Sequence, residues 1–212
     1  TASAIRPIEK VLRDMRKNPE KLKELIALGV DNSLRWVEVF TKEFGPATAS
    51  ISDPVTCTDI ISRNQFEEFS FPELKRLVSG LKDITGLKPS LHICGHTKGL
   101  WEDLKELEIS SFSVDDCEDL AEVCEVLGNH FPIVGNVPPV EVLRMGNIDD
   151  VIESVKDCIR KGALSPKGYT LATGCQVSLG TPKENLDAFV YAARKYGAGA
   201  KIGHLPQGLD RD

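Results

Sequence analysis

The sequence predicts an α/β protein of the (β/α)8 TIM-barrel type. Short apolar runs alternate with longer segments whose apolar residues recur every three or four positions, and this alternation occurs five times along the chain. Glycine or a polar residue follows each short run. Strands that alternate with helices imply a parallel sheet with right-handed crossovers. Five consecutive β/α units therefore fit such a barrel better than a helical bundle or a β-sandwich.

The first half of the chain contains five predicted elements. In order they are a helix around Ile8–Met15, a long helix over Leu22–Phe40, a strand at Ala47–Ile51, a helix at Gln65–Leu81 and a strand at Ser90–Cys94. Pro19 suits the first turn of the long helix, because a proline there lacks only an N–H that would have no helical partner. Pro72 is expected to interrupt or kink the helix at Gln65–Leu81.

The second half continues the alternation. It contains a helix at Leu100–Leu107, strands at Ser111–Val114, Pro132–Gly135 and Tyr169–Thr173, and helices at Asp119–Leu127, Val151–Lys161 and Asn185–Tyr196. Thr181 and Glu184 have the spacing of a capping box that opens the last helix. Gly197-Ala198-Gly199-Ala200 predicts a flexible exit, so the barrel portion is placed at residues 1–197 and a flexible tail at 198–212.

Composition restricts the classes of function. The chain has 212 residues, 41% of them hydrophobic, and a formal net charge of -6, which argues against a nucleic-acid or anionic membrane surface as the main partner. No run approaches the roughly 20 apolar residues that span a bilayer. The first residues lack the pattern of a secretory signal, which predicts a cytoplasmic protein. Six irregularly spaced cysteines then favour free thiols or metal ligands over disulfides, with Cys124 and Cys158 expected to be buried and inert.

The ends of the predicted strands collect the residues that could carry chemistry. Residues that follow the strands of a parallel barrel gather at one face, where active sites of that fold are built. His92 and Cys94 are two positions apart in an extended segment, so both side chains point the same way. Cys175 would add a third ligand and leave the fourth position of a zinc ion open, and its distance from Cys94 in the sequence excludes a zinc-finger knuckle. The residues that this rule collects are Asp53, His92, Cys94, Asp115, Asp116, Asn136 and Cys175.

Five segments carry a resemblance to a known family. They are Ile51-Ser52-Asp53-Pro54, His92-Ile93-Cys94-Gly95, Gly135-Asn136-Val137-Pro138, Gly168-Tyr169-Thr170-Leu171-Ala172-Thr173-Gly174-Cys175 and Gly180-Thr181-Pro182-Lys183-Glu184-Asn185-Leu186. Together they resemble the uroporphyrinogen decarboxylase superfamily over nearly the whole chain. The combination of His-x-Cys with a distant cysteine is similar to its methylcobamide:coenzyme M methyltransferase branch. The chain resembles the C-terminal three-fifths of a member and would supply about the last five β/α units.

The resemblance implies a function. It implies Zn²⁺ on His92, Cys94 and Cys175, and a methylated corrinoid, either methylcobalamin or a corrinoid protein, as methyl donor. A small thiol such as coenzyme M would be activated as a zinc-bound thiolate and accept the methyl group. Asp53, Asp116 and Asn136 are the predicted substrate-binding residues. Asp115 or Asp116 could instead occupy the fourth metal position at rest, and Asp116 is the acid expected near the metal. The Asp-Asp-Cys-Glu-Asp segment begins at Asp115. At least one of its acids is expected to cap the next helix instead of binding a ligand. A homodimer is a further candidate assembly.

Two other functions remain open from the sequence. A decarboxylase acting on an acidic tetrapyrrole would not need Cys94 and Cys175, so a metal-free protein would favour it. A nonenzymatic corrinoid-binding module would bind methylcobalamin without transferring its methyl group to a thiol. A third possibility is a methyltransferase that keeps zinc but uses a different methyl donor or acceptor.

Overall fold

The computed structural model describes residues 2–210 as alternating helices and parallel strands. The strands are β1 (Ser50–Ser52), β2 (Ser90–Ile93), β3 (Ser111–Val114), β4 (Ile133–Val137) and β5 (Tyr169–Thr173). The helices are α1 (Ala2–Ile5), α2 (Ile8–Lys17), α3 (Pro19–Phe44), α4 (Arg63–Gln65), α5 (Phe71–Thr85), α6 (Trp101–Leu104), α7 (Leu120–Leu127), α8 (Ile148–Gly162) and α9 (Lys183–Tyr196). The predicted α/β class is confirmed.

The strands follow one another through the sheet in chain order, β1-β2-β3-β4-β5. Strand β1 pairs with β2 in parallel, and Ser52 lies opposite His92. Strand β4 pairs in parallel with both β3 and β5, and Val137 lies opposite Thr173. Because parallel partners end at the same edge, each register places the residues that follow neighbouring strands together.

The chain divides into two compact units. The first runs to Ile93 and includes Thr97–Ser110; the second contains Cys94–His96 and the chain from Ser111 onward. In the first unit, α3 packs on α5, and Gly80 of α5 leaves so little space that an added Cβ would lie 2.7 Å from Leu34. A small cluster of buried side chains anchors the N-terminal helices of this unit: Ala2, Val11, Leu22 and Phe69.

In the second unit, helices α7 and α8 cover strand β4. Val123 and Leu127 of α7 are buried, as are Val151 and Val155 of α8. The apolar residues recur at helical spacing, so one face of each helix meets the sheet. Asn147 caps α8 by accepting the N–H groups of Asp149 and Asp150.

Local chemistry shifts several predicted boundaries. The segment predicted as one helix at Gln65–Leu81 begins with a π-helical turn at Phe66–Ser70, and Pro72 then stands in the first turn of α5. The predicted cap of the last helix is wrong: Pro182 is the N-cap residue, with no side-chain cap, and the Thr181 hydroxyl donates to the carbonyl of Ser178. Proline has a fixed φ that suits this position, whereas Thr181 lies one residue too early to cap.

The predicted tail is described up to Asp210, and residues 211 and 212 lie outside the described part. Its Lys201 and His204 form an isolated antiparallel bridge, and Gln207–Asp210 forms a 3-10 turn. The N–H of Gly208 donates to Ala198, and a Cβ at this glycine would lie 2.2 Å from the Lys195 carbonyl. The described tail thus returns onto the end of α9, while its flexibility stays a prediction. Among residues 2–210, no helix has the length and apolar character that crossing a membrane requires.

Candidate metal centre

The His-x-Cys segment lies at the end of strand β2. Leu91 and Ile93 are fully buried, while His92 and Cys94 between and after them are half-buried. This alternation is the strand period, in which neighbouring side chains point to opposite faces. Gly95 follows with φ of 78°, a left-handed conformation that glycine adopts without steric cost. The chain therefore turns away directly after Cys94.

Cys175 follows the last strand of the second unit. The N–H of Gly174 donates to the carbonyl of Val137 (2.9 Å), which extends the β4–β5 pairing by one residue. The Thr173 hydroxyl then donates to the carbonyl of Cys175 (2.6 Å). These two bonds fix the backbone on both sides of the thiol.

The two thiols lie next to each other, although 81 residues separate them in the sequence: Cys94 Sγ and Cys175 Sγ are 3.6 Å apart. His92, Cys94 and Cys175 each offer one ligand atom, and these atoms all lie within 4.8 Å of one another. In a tetrahedral site with Zn–S bonds of about 2.3 Å, two sulfurs stand about 3.8 Å apart. The thiol separation and the donor set, two sulfurs and one imidazole, therefore fit Zn²⁺.

The acids after strand β3 form a loop that we call the β3–α7 loop (Asp115–Asp119). Asp115 accepts the N–H of Gly95 (2.9 Å) on one oxygen and the N–H of Cys117 (3.2 Å) on the other. Burial would raise the pKa of Asp115, but hydrogen bonds from these two backbone N–H groups and from the side chains of Asp116 and Cys117 outweigh it and lower the pKa. The pKa of Asp116 is raised by burial and by the neighbouring Asp115 charge.

The structure confirms one of the roles predicted for these acids and leaves the others as predictions. Asp119 accepts the N–H groups of Ala121 and Glu122, so the capping role predicted for one acid of this segment is confirmed there. In the described part of the chain, the group of potential metal ligands around Cys94 contains no carboxylate. Substrate binding by Asp116 stays a prediction.

Asn136 is buried, with 7% of its surface exposed. Its side-chain amide donates to the carbonyls of Asp115 (3.1 Å) and Glu118 (2.9 Å), and its oxygen accepts from the Cys158 thiol (3.8 Å). Both amide hydrogens are therefore used to hold the β3–α7 loop. A contact between Asn136 and substrate stays a prediction.

Asp53 follows strand β1 in the first unit, and its N–H donates to the carbonyl of His92 (2.9 Å). Its side chain lines a mainly apolar cavity of about 120 Å³ together with Val11, Ile51 and Leu74. Burial raises the pKa of this carboxyl. The cavity provides room beside the carboxyl, and substrate binding by Asp53 remains a prediction.

The other four cysteines do not belong to the Cys94–Cys175 pair and differ in exposure. Cys124 and Cys158 are buried, as predicted, and burial raises the pKa of both thiols, to about 11 for Cys124. Cys117 is exposed and Cys57 is buried. The sequence reasoning missed the double role of Asp115 and the tight packing at Gly174, because each depends on where a distant backbone N–H or loop lies.

Comparison with known proteins assigns the chain to a family. The family profile of uroporphyrinogen decarboxylase (URO-D) matches residues 1–196. The chain belongs to the URO-D family. A methyltransferase structure from Methanosarcina mazei superimposes with a TM-score of 0.79 at 24% identity, over 93% of this chain and 56% of that one, and shows the fold. The predicted barrel-type fold is thus confirmed for a chain that supplies five β/α units.

Curated relatives within this URO-D family include methyltransferases and decarboxylases. The chain is 29% identical to a methylated-thiol–coenzyme M methyltransferase of Methanosarcina mazei, over 92% of this chain and 50% of the relative. It is 30% identical to the methylcobamide:CoM methyltransferase MtbA of Methanosarcina acetivorans, over 73% of this chain and 43% of the relative. A uroporphyrinogen decarboxylase of Hordeum vulgare is 30% identical over 63% of this chain and 39% of its own length. The chain spans about half the length of the methyltransferases it matches.

Proposed function

We propose that this URO-D family chain carries the metal and thiol site of a methyltransferase, which moves a methyl group from a methylated corrinoid to a small thiol such as coenzyme M. The supporting observation is the pair of thiols 3.6 Å apart with His92 in the same group. The similarity to methyltransferases named for methylcobamide and coenzyme M supports the choice of donor and acceptor.

His92, Cys94 and Cys175 would hold the zinc ion. Bound there, Zn²⁺ supplies Lewis acidity that lowers the pKa of a thiol substrate, so that the substrate reacts as a thiolate near neutral pH. With these three protein ligands, a bound zinc ion would still have room for the substrate thiol. Two of the three are thiolates, which lower the net charge of the site and preserve the nucleophilicity of the incoming sulfur.

The proposed reaction is a displacement at the methyl carbon. The substrate sulfur forms a bond to the methyl carbon, the cobalt–carbon bond of the corrinoid breaks, and its electron pair stays on cobalt. The thiol proton leaves to solvent. Half-exposed Cys94 and Cys175 leave the thiol pair open to a substrate from outside. The donor is free methylcobamide or a corrinoid protein, and Asp53 and Asp116 are the carboxyls we assign to substrate contact.

The proposal also includes the cellular setting. Metal-binding thiols must stay reduced, which favours the cytoplasm. None of the six cysteines forms a disulfide. The formal charge of -6 agrees with small-molecule and protein partners and with no role for nucleic acid.

Replacing either cysteine tests the site. Cys94→Ala and Cys175→Ala should each remove bound zinc and abolish methyl transfer from methylcobalamin to coenzyme M, while the far-UV circular dichroism stays that of the parent, because such ligands lie on a preformed scaffold. Cys117→Ser, which removes an exposed thiol from the same unit and keeps a side-chain hydrogen-bond donor beside Asp115, is the matched control and should retain zinc. Methyl transfer by a metal-free double variant would refute the role of the pair.

Uroporphyrinogen decarboxylation is the second candidate, favoured by the similarity to the barley enzyme. It predicts that metal-free protein consumes uroporphyrinogen and that Cys94→Ala has no effect on this activity. Zinc analysis of the purified chain, followed by both assays side by side, separates the two functions.

A further inference from the structure

The backbone turn after Cys94 is held by a carboxylate from another loop. Gly95, in its left-handed conformation, donates its N–H to Asp115 Oδ2 (2.9 Å). A hydrogen bond between a backbone N–H and an ionised carboxyl is among the stronger ones in proteins. The position of Asp115 therefore fixes where the chain goes immediately after the first thiol.

Asp115 is itself held in place. Its second oxygen accepts the N–H of Cys117 (3.2 Å), which fixes the orientation of the carboxylate. The amide of Asn136 donates to the carbonyl oxygens of Asp115 and Glu118 and so holds both ends of this turn. The carboxylate consequently has a defined position before any metal arrives.

The same loop contacts the segment that carries the second thiol. A Cβ built on Gly174 would lie 2.4 Å from the backbone nitrogen of Asp116 and 2.9 Å from its Cα. Real side-chain carbons do not approach so closely, so the β3–α7 loop lies directly against the glycine that precedes Cys175. One loop thus contacts Gly95 on one side and Gly174 on the other.

We propose that Asp115 is a positioning residue, which uses the β3–α7 loop to set the separation between Cys94 and Cys175 at the value a metal requires. This inference rests on the proposed function only in its choice of metal. The separation itself is a property of the second unit, and a reagent that bridges two close thiols reports it without any metal.

The test uses two probes on the reduced 212-residue chain in a Cys117→Ser background, which removes the exposed thiol and keeps a side-chain hydrogen-bond donor beside Asp115. Co²⁺ reports ligation through its thiolate charge-transfer absorption, and its affinity is measured by competition with a chelator. Phenylarsine oxide, whose arsenic bonds to two neighbouring sulfurs, reports the thiol separation of the metal-free protein. Asp115→Ala should weaken Co²⁺ binding by about 10- to 100-fold, as is typical when an outer hydrogen-bond partner is lost, and should slow bridging by the arsenical.

Asp115→Asn should fall between the parent and Asp115→Ala, because its single amide oxygen can accept only one of the two N–H groups. Asp149→Ala removes an exposed acid from α8 and should leave both probes unchanged. Unchanged Co²⁺ affinity and arsenical bridging in a folded Asp115→Ala variant would overturn the positioning role.

A second pair of variants separates positioning from general stability. Asn136 and Asn185 are both buried, and each donates its side-chain amide to two backbone carbonyls, those of Leu143 and Gly146 for Asn185. Asn136→Ala and Asn185→Ala should lower the unfolding midpoint to a similar degree, yet only Asn136→Ala should weaken Co²⁺ binding. Equal weakening by both would show that Co²⁺ affinity follows stability alone and would overturn the inference. A parent chain that binds neither probe would instead overturn the proposed metal site.

Discussion

Asp53 and Asp115 each directly follow a parallel strand, yet the pKa of Asp53 is raised and that of Asp115 is lowered. The end of β1 places the Asp53 carboxyl in a mainly apolar cavity, where burial is the largest influence. The end of β3 surrounds the Asp115 carboxyl with two backbone N–H donors. The comparison teaches that the position after a strand does not set the charge of an acid. The balance between burial and hydrogen bonds sets its pKa: burial outweighs the hydrogen bonds from Thr56 and Val55 at Asp53, whereas hydrogen bonds outweigh burial at Asp115.

The largest expected effect comes from moving the β3–α7 loop. Gly174→Ala would force a Cβ into the backbone of Asp116, so we expect a loss of about 2 kcal/mol of unfolding free energy, within the usual cost of overpacking. If the loop shifts, Asp115 loses donors and its pKa should rise toward that of Asp53. Urea unfolding gives the first quantity, and NMR titration of the Asp115 carboxyl gives the second.

Gly86→Ala is the control for this substitution. Gly86 has a left-handed φ of 73° and open space around its Cβ position, so its replacement costs backbone strain without a collision. It should destabilise the chain while leaving the Asp115 titration unchanged. An Asp115 pKa that stays low in Gly174→Ala would mean that the loop does not depend on this contact.

Asp115→Asn should have the next largest effect. The amide keeps one of the two hydrogen bonds and removes the charge, so about 1 kcal/mol of stability should be lost at neutral pH. Because the pKa of Asp115 is lowered on folding, its contribution is present above the unfolded pKa of about 3.9 and disappears as the pH falls through the folded value. Urea unfolding at several pH values should show parent and variant converging in acid; a constant difference would contradict the charge-based account.

Asp53→Asn should have the smallest effect and the opposite sign. Because the pKa of Asp53 is raised on folding, the parent is most stable below the unfolded pKa and loses that stability as the pH rises through the folded value. The uncharged variant avoids this loss, so a gain of about 0.5–1 kcal/mol is expected at neutral pH. Thermal unfolding across pH should show the gain growing from acid to neutral. A variant less stable than the parent at neutral pH would show that the Asp53 charge is stabilised by its surroundings.

The sequence predicted much of the architecture because its apolar spacing is strong. Strands β3 and β5 have the predicted bounds, Ser111–Val114 and Tyr169–Thr173, and α7 begins one residue after the predicted start at Asp119, which caps it. The weaker predictions involve proline and short apolar runs. The strand predicted at Ala47–Ile51 is Ser50–Ser52, since a run of small residues does not define where pairing with β2 begins.

The candidate site, like the fold, was predicted only in part from the sequence. Strand alternation predicted that His92 and Cys94 share a face. The rule that residues after parallel strands gather at one face predicted Cys175 as their partner, and the family resemblance supported it; all three belong to one group of neighbouring ligand atoms. The role of Asn136 as a buried support for the β3–α7 loop could not be read from the sequence. Its two acceptors, the carbonyls of Asp115 and Glu118, are 21 and 18 residues away and carry no side-chain signature.

The sequence by itself determined the α/β class, the order of strands and helices, and the residue types able to bind a soft metal. These follow from local periodicity and from side-chain chemistry, which the chain carries in any conformation. Only the tertiary structure decided that the two thiols stand 3.6 Å apart, that hydrogen bonds lower the pKa of Asp115 and that burial raises the pKa of Asp53. Each of these depends on backbone groups and cavities formed by distant segments, and no local pattern encodes such distances.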